Sequence, residues 1–115
     1  MFLGVLQFEL IVHDSRSLKD KRRVVKSVKD RLHREHLVSV AEIAALENLN
    51  LAIMGIAMVS NSKAAIGRTF DRIVHKLRGL HDAELGELSR QLMSGSEIED
   101  ESYEEPWAGG AEASQ

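Results

Sequence analysis

The chain has 115 residues, of which 43% are hydrophobic and 29% are charged, a composition typical of one globular domain rather than of a disordered protein. The absence of cysteine excludes disulfides, zinc–thiolate sites, iron–sulfur clusters and cysteine nucleophiles. The longest apolar run, residues 51–59, is shorter than the roughly 20 residues that a membrane-spanning helix needs. The first 14 residues lack the basic start of a signal peptide and include an early Gln and Glu, so we expect a cytosolic protein.

Charge is unevenly distributed along the chain, although the formal net charge is only −3. Residues 1–93 hold all 15 basic residues and 11 of the 18 acidic ones, whereas residues 94–115 hold 7 acidic residues and no basic one. A segment with few apolar side chains and like charges buries too little surface to offset the entropy cost of ordering. We therefore predict a domain over residues 1–95 and a disordered acidic tail over 96–115, which would shield a basic surface electrostatically.

Apolar periodicity predicts a strand followed by an amphipathic helix in the first third of the chain. Residues 2–13 alternate an apolar parity with a mixed one, as a half-buried strand does. Ser17 followed by Asp20 fits a capping box, so a helix is predicted over residues 18–35. Its predicted core stripe consists of Leu18, Val24, Val25, Val28 and Leu32.

The rest of the chain is predicted to supply three strands and a second helix. Residues 37–43 have the β-branched content of a strand, and residues 51–59 are apolar on both parities, as in a central strand. The second helix is predicted over residues 62–79, capped by Ser60 or Asn61 and ended by Gly79. Residues 82–93 fit either a helix or a strand, and we predict a strand because the preceding elements leave a sheet without its fourth strand.

The order β-α-β-β-α-β predicts an α+β, ferredoxin-like fold, in which a four-stranded antiparallel sheet carries both helices on one face. The expected strand order is 4-1-3-2. The other sheet face would be open or covered by a partner, and Leu3, Val5 and Ile11 belong to it. Because exposed apolar patches mark interfaces, a homodimer through this face is one expectation.

Three segments resemble a known family: SLKDKRRVVKSVKDRL (17–32), VSVAEI (38–43) and GIAMVSN (55–61). Together they resemble the YlxP-like family, a small bacterial family of unknown function, over roughly residues 1–92. The motif residues include Ser17, Leu18 and Glu42. The resemblance implies a ferredoxin-like fold, and the family's gene neighbourhood, beside translation and ribosome-maturation factors, implies a ribosome or RNA role. The chain departs from the family pattern at Ala44 and at residues 49–50, between the second and third strands.

The strongest functional feature is the basic face of the first helix, since nine of the 15 basic residues lie between residues 16 and 34. The candidate RNA- or anion-binding residues are Arg16, Lys19, Lys21, Arg22, Arg23, Lys26 and Lys29. Evenly spaced cations on one helix face match phosphates along a backbone, and the N–H groups at the helix start favour an anion. The alternative is an ordinary solvated helix, because Asp20, Asp30 and Glu35 dilute the charge.

Lys21 and Glu42 stand out because each lies in an apolar context. Lys21 projects near the apolar stripe of the helix, where it either extends to solvent, which we favour, or pairs with Glu42 or Glu47. Glu42 lies in a mostly apolar strand and needs a solvent-exposed side or a partner. The expected strand order separates Glu9 from Glu42, so no two-carboxylate site is predicted.

The sequence contains no motif for catalysis, metal binding or a cofactor. His33 and His36 are three residues apart but have no positioned third ligand, and no phosphate-loop or dinucleotide motif occurs. Phe2 and Phe8 share the apolar parity of the first strand, which places them in the core. This argues against recognition by base stacking and for contact with a nucleic-acid backbone.

The leading prediction is therefore a non-enzymatic RNA- or ribosome-associated protein without a cofactor. Its partner would be ribosomal RNA or a ribosome-associated protein. The alternative is a protein-interaction or small-ligand regulatory module that dimerises through the open sheet face.

Overall fold

The computed structural model describes residues 1–98. Its elements are β1 (Phe2–Ile11), α1 (Leu18–Glu35), β2 (Ser39–Ala44), β3 (Leu51–Ser60), α2 (Lys63–Arg78), β4 (Glu84–Ser94) and a 3-10 turn, Gly95–Glu97. The predicted order and the ferredoxin-like α+β fold are confirmed. The ambiguous segment 82–93 is a strand, as predicted.

The four strands form one antiparallel sheet in the order β2-β3-β1-β4, with β1 and β3 in the centre. Even-numbered side chains in the middle of the two central strands are buried under the helices, for example Leu6 opposite Ile56 and Phe8 opposite Met54. Odd-numbered side chains of the same strands lie on the other face, because successive side chains of a strand alternate in direction. The core therefore lies between one sheet face and the helix layer.

Helix α1 begins and ends at the predicted residues. Asp20 N–H donates to Ser17 Oγ at 3.1 Å, which satisfies one of the free amides at the helix start. Val25, Val28 and Leu32 are buried against the sheet, while Leu18 and Val24 are half-buried at the edge of the same stripe.

Helix α2 has a different cap from the one predicted. Ser62 caps it by accepting the Ala65 N–H at 3.2 Å, so the prediction of Ser60 or Asn61 is wrong. Ser60 instead supports the turn, because its Oγ accepts the Ser62 N–H at 3.0 Å. Gly79 follows the last helical residue, as predicted.

A β-bulge interrupts the pairing of β1 with β4 between Phe8 and Leu10. The Glu9 side chain compensates for the interrupted pairing, since its Oε1 accepts the Glu87 N–H at 3.0 Å. A Cβ on Gly86 would lie 2.7 Å from the same carboxylate oxygen and 2.9 Å from Glu9 Cβ, so a larger residue here would displace the Glu9 side chain. Glu9 therefore completes the sheet on the open face.

The described residues extend three positions beyond the predicted domain boundary at residue 95, to residue 98. The Gly95 N–H donates to the Met1 carbonyl at 2.8 Å, which fixes the 3-10 turn beside the start of β1. The rest of the predicted tail lies outside the described residues. Among the described helices, none combines the length and the apolar character that crossing a membrane requires.

Candidate nucleic-acid interface

Six of the seven predicted anion-binding side chains extend into solvent from the start and the outer face of α1. They are Arg16, Lys19, Arg22, Arg23, Lys26 and Lys29. This follows from the burial of the apolar stripe, because the opposite face of an amphipathic helix then points away from the sheet.

Most of these cations have no carboxylate partner. Within residues 1–98, Lys26 forms an ion pair with Asp30, whereas Arg16, Lys19, Arg22, Arg23 and Lys29 form none. The hydrogen bond from Lys26 lowers the pKa of the Asp30 carboxyl below its usual value. The i, i+4 pair is exposed and weak, so it leaves Lys26 within reach of a competing anion.

Lys21 does not belong to the exposed set, and its prediction as an anion-binding residue is wrong. Its side chain is 0% exposed. Its Nζ lies 2.9 Å from Glu42 Oε2 and donates a hydrogen bond to the Ala45 carbonyl at 2.7 Å. The favoured extension to solvent is also wrong, and the alternative ion pair with Glu42 is the one found.

The buried lysine fixes the connection between β2 and β3. Ala45 has a φ of +61°, a left-handed conformation that is unusual for a residue with a side chain. Its carbonyl accepts both the Lys21 ammonium and the Asn48 N–H, the latter at 3.0 Å. Lys21 of the SLKDKR segment and Glu42 of VSVAEI are thus two halves of one contact. Ser17 and Leu18 contribute the helix cap and part of its apolar stripe.

The predicted anion pocket at the start of α1 contains a carboxylate of its own. Asp20 Oδ2 accepts the Arg16 N–H at 3.2 Å, and Ser17 caps the Asp20 amide. These contacts occupy two of the backbone amides at the helix start and place a carboxylate beside them. Anion binding is therefore better supported along the outer face of α1 than at its start.

Helix α2 extends the cationic surface, although no binding residue was predicted on it. Its exposed basic residues are Lys63, Arg68, Arg72 and Arg78. Asp71 is the one acidic residue of the helix, and it is paired with Arg90 at 2.9 Å. The two helices together carry 13 of the 15 basic residues of the chain, and both lie on the same side of the sheet. A charge count for each predicted helix would have revealed this.

Lys76 joins the two helices at the end of α1. Its ammonium contacts the Glu35 carboxylate and lies 3.1 Å from His36 Nε2. The hydrogen bond from Lys76 lowers the pKa of Glu35, whereas burial and the neighbouring Lys76 charge lower the pKa of His36. A neutral His36 therefore accepts from Lys76 at neutral pH.

The described residues hold no exposed aromatic ring on this surface. Phe8 and Phe70 are buried, and Phe2 is packed against the core with Lys63 Nζ 5.6 Å from its ring centre. No group of three or more His, Asp or Glu side chains within residues 1–98 is placed to hold a metal ion. The chemistry available on the helix layer is thus that of guanidinium and ammonium groups.

The opposite face of the sheet is apolar. On β1 and β3 it presents eight apolar or glycine residues and only two polar ones, Gln7 and Glu9. Ile43 lies against Gly55 on this face and is 50% exposed, and Val59 is 63% exposed. The molecule therefore has a cationic helix side and a sheet side that is apolar along its two central strands.

The family model "Protein of unknown function (DUF503)" matches residues 3–90. The chain belongs to this family. Uncharacterized protein YlxP from Bacillus subtilis (strain 168) is 32% identical to this DUF503 chain over 72 residues, which cover 63% of the chain and 78% of that protein. The resemblance to the YlxP-like family is confirmed.

A solved structure supports the fold of the DUF503 chain. The de novo designed protein Foldit4 is similar to it with a TM-score of 0.50 and 16% identity, over 82% of this chain and 98% of the designed one. At that identity the likeness concerns the fold alone.

Proposed function

We propose that this DUF503 protein is a non-enzymatic RNA- or ribosome-associated protein that contacts phosphates through the outer face of α1. The observation that carries the proposal is the set of exposed cations without a carboxylate partner: Arg16, Lys19, Arg22, Arg23 and Lys29. Side chains of this kind release condensed counterions when they contact a polyanion. Ribosomal RNA or a ribosome-associated protein is the proposed partner.

A pair of matched variants tests the proposal. Arg22→Gln with Arg23→Gln removes two positive charges from α1, whereas Ser39→Glu with Gln91→Glu adds two negative charges at exposed edge-strand residues of the open sheet face, opposite to the helices. Both variants are made in a chain that also carries Ile53→Lys in the middle of that face, so that both are monomeric in the comparison. Both variants change the net charge by −2. We expect only the first to lose most of its affinity for RNA in fluorescence anisotropy at low salt. Equal losses would show that net charge alone matters, and unchanged binding of both would refute the proposed site.

The apolar sheet face favours a second candidate function, a protein-interaction module that forms a homodimer. Four strands at about 4.8 Å spacing and ten residues of about 3.3 Å rise give a footprint on the order of 600 Å². Stable interfaces bury roughly 800 Å² from each partner, so this face with its rim approaches the required size. On the two central strands Glu9 is the one charged residue of this face, and the acids of β4, Glu84 and Glu87, lie at its edge. Contact centred on β1 and β3 therefore limits the desolvation cost of buried ions.

Light scattering over a dilution series tests the dimer. We expect a dimer for the native chain and a monomer for Ile53→Lys, because Ile53 lies in the middle of the apolar face. The Arg22→Gln, Arg23→Gln variant serves as the control and should stay dimeric. A native chain that is monomeric at micromolar concentration would contradict this candidate without affecting RNA binding.

A further inference from the structure

The two helices form a single outer surface. Val28 and Leu32 of α1 and Phe70 and Ile73 of α2 belong to one buried cluster over the same sheet face. Lys76 of α2 contacts residues at the end of α1, so the helices are neighbours. Packed helices lie about 8–10 Å apart, and each is about 10–12 Å across, which makes the surface roughly 20 Å wide.

Several cations on this surface remain without a carboxylate partner within residues 1–98, because the neighbouring acidic residues form ion pairs with other basic side chains. Asp30 pairs with Lys26, Glu35 pairs with Arg31 and Lys76, and Asp71 pairs with Arg90. The unpaired, exposed basic side chains of the described region therefore lie on both helices. On α2 they include Arg68, Arg72 and Arg78. A ligand that fits the surface must carry anionic groups spread over about 20 Å in width as well as in length.

Single-stranded RNA fits this surface poorly. Proteins that bind single strands combine a cationic groove with aromatic side chains on which successive bases stack. Here the described rings are buried or packed against the core, and the cations lie on a broad helical layer rather than in a groove. A single strand would meet only one row of cations.

A B-form DNA duplex fits less well than an RNA duplex. Reading its major groove, about 12 Å wide, requires one helix to enter the groove. Two helices side by side in one layer are too wide to do so. The minor groove of A-form RNA is wide and shallow, and phosphates border it on both sides. A broad cationic layer can lie across such a groove, with one helix towards each phosphate border.

We infer that the helix layer binds double-stranded RNA, with α1 and α2 contacting phosphates on the two sides of one minor groove. This inference rests on the proposed function and assigns its substrate class. If Arg16, Lys19, Arg22, Arg23, Lys29 and the three arginines of α2 all engaged phosphates, the slope of log affinity against log salt would approach about −7, with about −0.9 for each contact as on duplex DNA.

The test compares three fluorescent probes of the same length, an RNA duplex, an unstructured RNA strand and a DNA duplex, with the full chain. We expect the RNA duplex to bind most tightly, by at least tenfold. Arg68→Gln with Arg72→Gln should reduce the salt slope for the RNA duplex by about 1.8 and leave binding of the single strand almost unchanged. Ser39→Glu with Gln91→Glu is the control for net charge, compared with the α2 variant in the monomeric Ile53→Lys chain because Ser39 and Gln91 lie on the open sheet face. Circular dichroism verifies the fold of each variant.

The outcomes separate this inference from the proposed function. Tighter or equal binding of the single strand or of the DNA duplex would overturn the duplex-RNA inference and leave polyanion binding by α1 standing. An unchanged RNA-duplex affinity of the α2 variant would overturn it as well. Failure of all three probes to bind at low salt would overturn both the inference and the proposed function.

Discussion

Burial of Lys21 costs folding free energy, because a fully buried ammonium loses its hydration. Glu42 and the Ala45 carbonyl replace that hydration at 2.9 and 2.7 Å. Breaking such a pair by removing one partner costs more than replacing both partners with apolar side chains. The main role of the pair is thus to hold Ala45 in its left-handed conformation and to fix the β2–β3 connection. Its net contribution to the free energy of unfolding is small.

Removing one partner of this pair is predicted to destabilise the fold. Glu42→Leu should lower the free energy of unfolding by about 3 kcal/mol, the lower end of the range for buried pairs, because 15% of the Glu42 side chain is exposed. Lys21→Met with Glu42→Leu should recover most of that loss. Urea unfolding followed by circular dichroism measures both effects. A double variant at least as unstable as Glu42→Leu alone would contradict this account.

His36 is predicted to make stability depend on pH in a narrow window. Its folded pKa lies below the ordinary value of 6.5, mainly because of burial and further because of Lys76, so the unfolded state binds the proton more tightly. The contribution of His36 to the free energy of unfolding is complete above pH 6.5, and it is lost as the pH falls through the folded pKa. Glu35, whose pKa is lowered from 4.5, acts in a separate and more acidic range.

Thermal unfolding at a series of pH values measures this effect. His36→Gln should flatten the fall in melting temperature just below pH 6.5, because the titrating ring is gone. His33→Gln, on the exposed side of the same helix end, is the control and should leave that fall in place. A His36→Gln variant with an unchanged pH profile would show that the ring does not contribute.

At the scale of elements, two glycines affect α2 in different ways. Gly4 affects how the helix packs on the sheet, and Gly67 affects the intrinsic stability of the helix. A Cβ on Gly4 of β1 would lie 2.4 Å from Ile66 Cγ2 and 3.0 Å from the Phe70 ring. A Cβ on Gly67 of α2 would meet nothing within 4 Å. Gly4 therefore permits close approach of α2 to the sheet, whereas Gly67 only weakens the helix.

Alanine is predicted to have opposite effects at these two positions. Gly4→Ala should destabilise the protein by roughly 1–3 kcal/mol through overpacking. Gly67→Ala should stabilise it by about 0.5–1 kcal/mol, because alanine has the higher helix propensity. Denaturant midpoints measure both changes. Changes of the same sign in the two unfolding free energies would contradict the close packing of α2 against Gly4 of β1.

The elements were predictable because their determinants are local. Ser17 and the Leu18–Leu32 stripe specify α1 through a cap and a period of 3.6 residues, and Gly79 marks the end of α2. The Glu9–Gly86 bulge was not predictable, because it depends on which residues of two distant strands meet. The choice of Ser62 over its neighbours as cap depends on where β3 ends.

The candidate site was predictable only for residues whose environment follows from the helix itself. The outer cations of α1, such as Arg22 and Lys29, are exposed because the opposite face is apolar. Periodicity placed Lys21 near the buried stripe but could not select its partner, which lies in another element. The contribution of α2 depends on both helices sharing one layer, a tertiary property.

At the scale of the whole molecule, charge and apolar surface are separated by the sheet. The helix side carries most of the cations, and the other side presents β1 and β3 residues such as Val5 and Ile53. This arrangement allows the proposed RNA contact and the proposed dimer to exist together. In a dimer formed through the sheets, the two helix layers would face outward in opposite directions.

The acidic C-terminal segment is predicted to compete with RNA for the helix layer. Residues 99–115 contain six acidic residues and no basic one, and they follow the last described residue. Deleting them leaves residues 1–98 intact and should tighten RNA binding at low salt, with the difference fading as salt screens the charges. Anisotropy titrations of the two chains measure this, and equal affinities at low salt would dismiss the competition.

The salt dependence of RNA affinity tests the central claim most directly, because it counts the phosphates that the helix layer neutralises. Contact through Arg16, Lys19, Arg22, Arg23 and Lys29 alone predicts a slope of log affinity against log salt of about −3.5 on single-stranded RNA, and a steeper slope on duplex RNA. Arg22→Gln with Arg23→Gln should reduce the magnitude of the single-strand slope by about 1.4. A slope near zero, or one that this variant leaves unchanged, would contradict a phosphate-binding role for α1.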